Sequence, residues 1–213
     1  MSDPVPSTRE PNWQAGYFDA MYGGEAGDDP YGLRSRWYEQ RKRDVLLAAL
    51  PKPHFRRAYE PACGIGELTV MLAERCEELL AADFNARALA AAHRRTQHLA
   101  HVQIERQRLP HDWPASAATQ PFDLIVLSEI GYFLNEIELR ELAHRCAASL
   151  TADGTLIACH WRVPFDARTL PTDRVHALLG GDLPCLVKHV EDDFLLQVWS
   201  RDARSVAQRE RIW

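Results

Sequence analysis

The sequence predicts one α/β domain built on a doubly wound, mostly parallel sheet, and three observations carry that prediction. Candidate strands alternate with helical stretches along most of the chain, the pattern of βαβ units. Phe122–Leu127 (FDLIVL) is a near-continuous apolar run, as expected of a strand covered on both faces. A glycine-containing turn at 61–66 joins the first strand to a helix, where a parallel sheet needs its sharpest reversal.

Each element follows from its local pattern. Residues 1–15 are rich in proline and polar groups and are expected to be irregular. Residues 16–35 hold Tyr17, Phe18, Tyr22 and Tyr31 among glycines and aspartates, too many aromatics for a linker. Segment 1–34 is therefore expected to pack on the domain as a lid over a ligand. A helix should start at Ser35, its cap, with Tyr38, Val45, Leu46 and Ala49 on one face and Pro51 and Pro53 as its stop. Arg57–Glu60 reads as the first strand. Ile65, Leu68, Thr69, Leu72, Ala73 and Cys76 then fall at helical spacing. Glu78–Asp83 and Val102–Arg106 read as strands, with a helix over Ala86–His98 between them. After Phe122–Leu127 come a helix over Glu136–Leu150, an Asp153-Gly154 turn and a strand over Thr155–Cys159. A helix over Asp173–Leu179 precedes two consecutive strands, Leu186–Val190 and Phe194–Trp199, which place an antiparallel strand in the sheet. The domain thus spans 35–200, and the polar tail 201–213 is expected to fray.

The chain has 213 residues, the length of one domain. A net charge of −5 argues against nucleic acid as a partner, since phosphates want a basic face. Five widely spaced cysteines form neither a disulfide framework nor a zinc spacing, and nine scattered histidines lack ligand spacing, so no metal site is expected. With neither a signal-like start nor an apolar run near the ~20 residues of a membrane span, the expectation is a cytoplasmic protein without a membrane partner, monomeric or weakly self-associating.

In such sheets ligands bind beyond the carboxyl ends of the strands. The first strand runs into Glu60-Pro-Ala-Cys-Gly64-Ile-Gly66. A dinucleotide fingerprint would place a third glycine at 69, where the chain has Thr69. The second strand ends at Asp83, 17 residues past Gly66, the distance at which an acid reaches ribose hydroxyls. Gln107-Arg108-Leu109-Pro110 follows the third strand, where an adenine edge would lie. Ser128-Glu129-Ile130-Gly131-Tyr132 follows the fourth and would face the reactive end of the ligand.

E-x-A-x-G-x-G, Asp83, FDLIVLSE and the D-G-T-L strand resemble the seven-stranded S-adenosylmethionine-dependent methyltransferases over about residues 35–200. The resemblance implies a strand order of 3-2-1-4-5-7-6 with strand 7 antiparallel, and S-adenosylmethionine as cofactor with S-adenosylhomocysteine as its product. It implies cofactor contacts at Glu60, Ala62, Gly64, Gly66, Asp83, Phe84, Arg108, Leu109, Ser128, Glu129 and Ile130. Where the general fold often has an acid or amide beside adenine, this chain has Gln107-Arg108. More narrowly, YFDAMYGG, SRWYEQRKRD, YEPACGIGELT, LIVLSEIGYFL, CHWR and HVEDDFLLQVW resemble the nodulation protein S family. Those enzymes N-methylate the deacetylated end of a chitooligosaccharide, which implies a small-molecule or oligosaccharide acceptor here.

Arg41 is a candidate partner for the methionine carboxylate, with Tyr38 or Trp37 covering the cofactor; otherwise Arg41-Lys42-Arg43 is a solvated charge run. Glu129 and His160 are candidates to hold or deprotonate an amine, and Tyr132 to bond the substrate, against strand-end packing roles. Trp161 would stack on a sugar or simply pack, and Glu191-Asp192-Asp193 would be a solvated turn or a cation site. The expected chemistry is in-line displacement at the sulfonium methyl by an uncharged amine. O-methylation of a hydroxylated acceptor, a nicotinamide dehydrogenase and a non-catalytic nucleoside-binding module remain open alternatives.

Overall fold

Seven strands form one sheet among the described residues: β1 (Phe55–Pro61), β2 (Cys76–Asp83), β3 (Val102–Arg106), β4 (Phe122–Ser128), β5 (Leu150–Trp161), β6 (Cys185–Val190) and β7 (Phe194–Ser200). The computed structural model describes residues 13–24 and 29–213. The sheet order is β3-β2-β1-β4-β5-β7-β6. β7 runs antiparallel to β5 and β6, and the other pairs are parallel. This is the order the resemblance implies. The helices are α1 (Trp13–Gly23), α2 (Trp37–Ala48), α3 (Glu67–Ala73), α4 (Ala86–Thr96), α5 (Glu136–Ser149), α6 (Thr172–Gly180) and α7 (Val206–Arg209), with single 3-10 turns at Ala115–Ala118 and Gly131–Phe133.

Strand alternation divides the core in two. Ile125 and Leu127 of β4 pack with Leu139, Leu142 and Cys146 of α5 and with Val175 and Leu179 of α6. Leu124 and Val126 point the other way, onto Leu46 of α2 and Leu68 and Leu72 of α3. Each such fully buried side chain contributes about 1.5–3 kcal/mol. Helix starts are fixed by polar caps: Asn85 Oδ1 accepts from the amides of Arg87 and Ala88, and Asn135 and Glu138 form a capping box on α5. No helix among the described residues is long and apolar enough to cross a membrane.

Several expectations differ from what forms. Ser35 does not cap α2: the cap residue is Arg36, which makes no side-chain cap bond. Cys76 is the first residue of β2 rather than the end of α3. Arg75 O accepts from Phe55 N there, so the chain leaves the helix to start pairing with β1. Asp153-Gly154 is a bulge inside β5, not a turn before it. Phe122 pairs with Leu150 and Leu124 with Thr155, so two residues of β4 are matched by five of β5. Of the stretch 1–15 expected to be irregular, 13–15 open α1, and 1–12 lie outside the described residues. In the tail, α7 is held by a Ser205–Gln208 capping box and by Arg209 bonding the Asp202 carbonyl.

Candidate functional site

The carboxyl ends of β1, β2, β4 and β5 open into a cavity of about 460 Å³ roofed by α1 and α2. It is large enough for a nucleoside-sized ligand. Tyr17, Phe18 and Tyr22 of α1 line it. The helix is held by Phe18 against Phe84 and Phe133 and by Asn85 Nδ2 donating to Asp19 Oδ1 at 2.8 Å.

The floor is the β1–α3 turn. Ala62 and Gly64 both adopt left-handed backbone, φ 59° and 55°. Asp83 stitches this turn to the end of β2: its carboxylate accepts from Gly64 N at 3.0 Å and from Asn85 N at 2.9 Å. Asp83 does not cap α4, because Asn85 does. Glu60 is buried beneath, accepting from Thr69 Oγ1 at 2.6 Å. Burial pushes its carboxyl up to about 8 despite that bond, and the neighbouring Asp83 adds to the rise.

The opposite end is built around Glu129, a non-glycine residue at φ 59°. Its Oε1 accepts from Lys42 Nζ at 2.7 Å. Its Oε2 accepts from Trp161 N at 3.0 Å and from the Tyr132 hydroxyl. Lys42 also contacts Glu39 at 3.0 Å. Burial works against the charged Lys42 ammonium, but the Glu129 and Glu39 carboxylates outweigh it and hold it charged. Arg43 and Tyr38 line the cavity, and Arg43 Nε and the Tyr38 hydroxyl are buried without a hydrogen-bond partner.

The cavity therefore gathers Tyr38, Glu60, Ala62, Gly64, Asp83, Phe84, Ser128, Glu129, Ile130 and Tyr132 of the candidates, and omits Arg41, Gly66, Arg108, Leu109 and His160. Arg41 is bidentate on Glu191 at 2.8 and 2.7 Å, outside the cavity. At 100° per residue Tyr38, Glu39, Lys42 and Arg43 share one face of α2, and Arg41 does not. Gly66 serves packing: a Cβ there would lie 3.1 Å from Ala92 Cα of α4. The Arg108 guanidinium sits over the Phe84 ring, 5.7 Å from its centroid, and Leu109 is in the core. Gln107 is committed to Tyr59 and Glu105. His160 is wholly buried, with its ring bonded to Gly131 N and His176. Burial, with Lys42 adding, pushes it down to about 3, which disfavours the imidazolium a base would become. Sequence reasoning missed Lys42 and Arg43, which it placed in a solvated charge run. Lys42, four residues from Tyr38, shares its face of a helix, but nothing in that spacing separates Arg43 from Arg41.

The pattern of the Nodulation protein S (NodS) family matches residues 14–164. A Nodulation protein S of Bradyrhizobium diazoefficiens is 31% identical over 137 residues, 62% of this chain and 62% of that protein. The chain thus spans about three fifths of the length of the curated relatives it matches. A solved structure described as a putative methyltransferase from Pseudomonas syringae is 42% identical, with 78% of this chain and 99% of that one covered and a TM-score of 0.68. The N-methyltransferase NodS of Bradyrhizobium japonicum, solved with S-adenosylhomocysteine, is 25% identical over 82% of this chain and 93% of that one, with a TM-score of 0.72.

Proposed function

The chain belongs to the Nodulation protein S family, and on that premise we propose that it is an S-adenosylmethionine-dependent N-methyltransferase acting on an amine of a small-molecule or oligosaccharide acceptor. The cavity suits the cofactor because it offers what each part requires. Asp83 keeps lone pairs beyond those used by Gly64 and Asn85 for ribose hydroxyls. Arg43, which lines the cavity where Arg41 does not, takes the methionine carboxylate in place of Arg41. Phe84 lies beside the base, and Ser128 and Ile130 border the sulfur end.

The observation that favours N- over O-methylation is membership of the Nodulation protein S family together with the likeness to the N-methyltransferase NodS, and Glu129 offers a place for the amine. Tyr132 and Trp161 fill Oε2 and Lys42 takes one position on Oε1, leaving a single acceptor site. That site suffices to hold one N–H of an amine whose lone pair is already nucleophilic. His160 is walled off from the cavity, so Glu129 is the group placed to hold the amine and receive its proton. S-adenosylmethionine, when bound, supplies a methyl on a sulfonium leaving group. An amine held beside it would take that methyl as the S–C electron pair returned to sulfur, and Glu129 or water would receive the extra N–H proton. The residues thus align and desolvate more than they transfer protons.

Calorimetry of S-adenosylhomocysteine tests the reading. Wild type should bind, and Asp83→Ala and Arg43→Ala should each lose about 1–3 kcal/mol, while Arg41→Ala matches wild type. Labelled methyl should then pass to amine but not hydroxyl acceptors. Absence of binding to the wild-type chain, or transfer to hydroxyls alone, would overturn it.

A further inference from the structure

We propose that His160 and His176 form a neutral, one-way hydrogen-bond relay that positions the Glu129–Gly131 turn, making both positioning residues for the carboxylate that holds the amine. The function of that carboxylate rests on the reading above; the relay rests on geometry.

Gly131 N lies 3.0 Å from His160 Nε2. A backbone amide can only donate, so Nε2 is the bare nitrogen and the ring proton sits on Nδ1. His160 Nδ1 lies 3.0 Å from His176 Nε2, which must then accept. The proton of His176 is thereby on its own Nδ1, 3.0 Å from Gln197 Oε1, an acceptor. One tautomer of each ring satisfies all three bonds, and reversing either ring sets two donors face to face. The rings pack edge-on with centroids 5.0 Å apart, both buried.

The turn needs this support. Glu129 adopts left-handed backbone without being glycine, a conformation that persists only where surroundings over-determine it. On one side Glu129 N bonds Cys159 O at 3.0 Å. On the other, Gly131 is wedged so tightly that a Cβ would sit 2.4 Å from Val175 Cγ1 and 3.1 Å from His160 Nε2. The charged and titratable groups around the pair are Lys42 from α2, Glu129 and Tyr132 beside the turn, and Asp173 from α6. Burial pushes His160 down to about 3, with Lys42 adding, and His176 down to about 2, with His160 adding. The pair therefore stays neutral while an amine deprotonates nearby.

The test uses the full chain labelled with 15N. Long-range imidazole spectra should show His160 and His176 as Nδ1–H tautomers that do not titrate between about pH 5 and 8. His160→Leu should weaken S-adenosylhomocysteine about tenfold, as for loss of one buried hydrogen bond, and speed exchange of the Gly131 amide. His160→Gln, whose carbonyl can replace Nε2 as acceptor, should stay within about threefold of wild type with Gly131 protected. If His160→Leu does not fold, His176→Leu serves: His160 should keep the Nδ1–H form that Gly131 N imposes, and with its Nδ1–H left without an acceptor the Gly131 amide should exchange faster and S-adenosylhomocysteine bind more weakly. An Nε2–H form of His160 in wild type, titration near 6.5, or wild-type affinity and Gly131 exchange in His160→Leu would overturn the proposal. If wild type shows these tautomers and this Gly131 protection but binds no S-adenosylhomocysteine, the functional reading fails and the relay stands.

Discussion

Replacing Lys42 by Met should cost this protein much of its stability, and the arithmetic can be worked from the cavity. The Lys42 side chain is 7% exposed, with Nζ 2.7 Å from Glu129 and 3.0 Å from Glu39. At an effective dielectric near 20 these separations correspond to about 6 and about 5.5 kcal/mol of gross attraction. Burying the ammonium opposes this by several kcal/mol, as does each carboxylate. Met fills the aliphatic volume but strands two carboxylates, and breaking a buried pair this way costs about 3–5 kcal/mol. Urea unfolding at neutral pH measures the loss. Adding Glu129→Gln to Lys42→Met should restore only part of it, because Glu39 keeps its charge. The coupling energy of that cycle should exceed about 1 kcal/mol. A Lys42→Met protein within about 1 kcal/mol of wild type, or a double mutant whose losses simply add, would refute the ion-pair account.

Stability should peak near pH 6.5 in the ligand-free protein. His160 and His176, pushed down to about 3 and about 2 mainly by burial, refuse protons that the unfolded chain accepts below about 6.5. Stability therefore falls toward acid by up to about 2.7 kcal/mol per pH unit for the two together. Glu60, raised to about 8 by burial, works the other way: its contribution is whole below about 4.5 and is lost as pH rises to about 8, at about 1.4 kcal/mol per unit. Between 4.5 and 6.5 the two histidines oppose Glu60 and Asp83, whose carboxyl burial also raises, and above 6.5 the histidines drop out and the raised carboxyls govern; urea midpoints still climbing from pH 7 to 8 would contradict this. Gly66→Ala should destabilise by about 1–3 kcal/mol, since φ is 81° and the new methyl would press on Ala92, with little change in S-adenosylhomocysteine affinity. A weakened affinity at unchanged melting temperature would show instead that Gly66 meets the ligand.

What could be read from the residues was whatever depends on local pattern. FDLIVL is a strand covered on both faces, as a short, nearly continuous apolar run between turn signals suggests. The turn after β1 and the acid at Asp83 lie at one end of the sheet because parallel strands bring their carboxyl ends to one edge. What escaped was whatever depends on the rotation of an element about its own axis or on a distant partner. Arg41, Lys42 and Arg43 look alike in sequence. Only the seating of α2 turns Lys42 onto Glu129 and Arg43 into the cavity while Arg41 reaches Glu191. His160, at a strand end, looks like a base; one residue of β5 alternation puts Trp161 at the cavity and His160 against α6. The helix α1 carries no strong pattern of its own, and aromatic packing across the cavity mouth holds it. The sequence by itself therefore determined the elements, the mostly parallel sheet and its antiparallel strand, because hydrophobic periodicity and turn geometry are local, while the strand order came from the family resemblance. Which side chains face a ligand was decided only by tertiary packing, because a long helix or strand residue changes partners with a rotation of about 100–180° that local pattern does not specify.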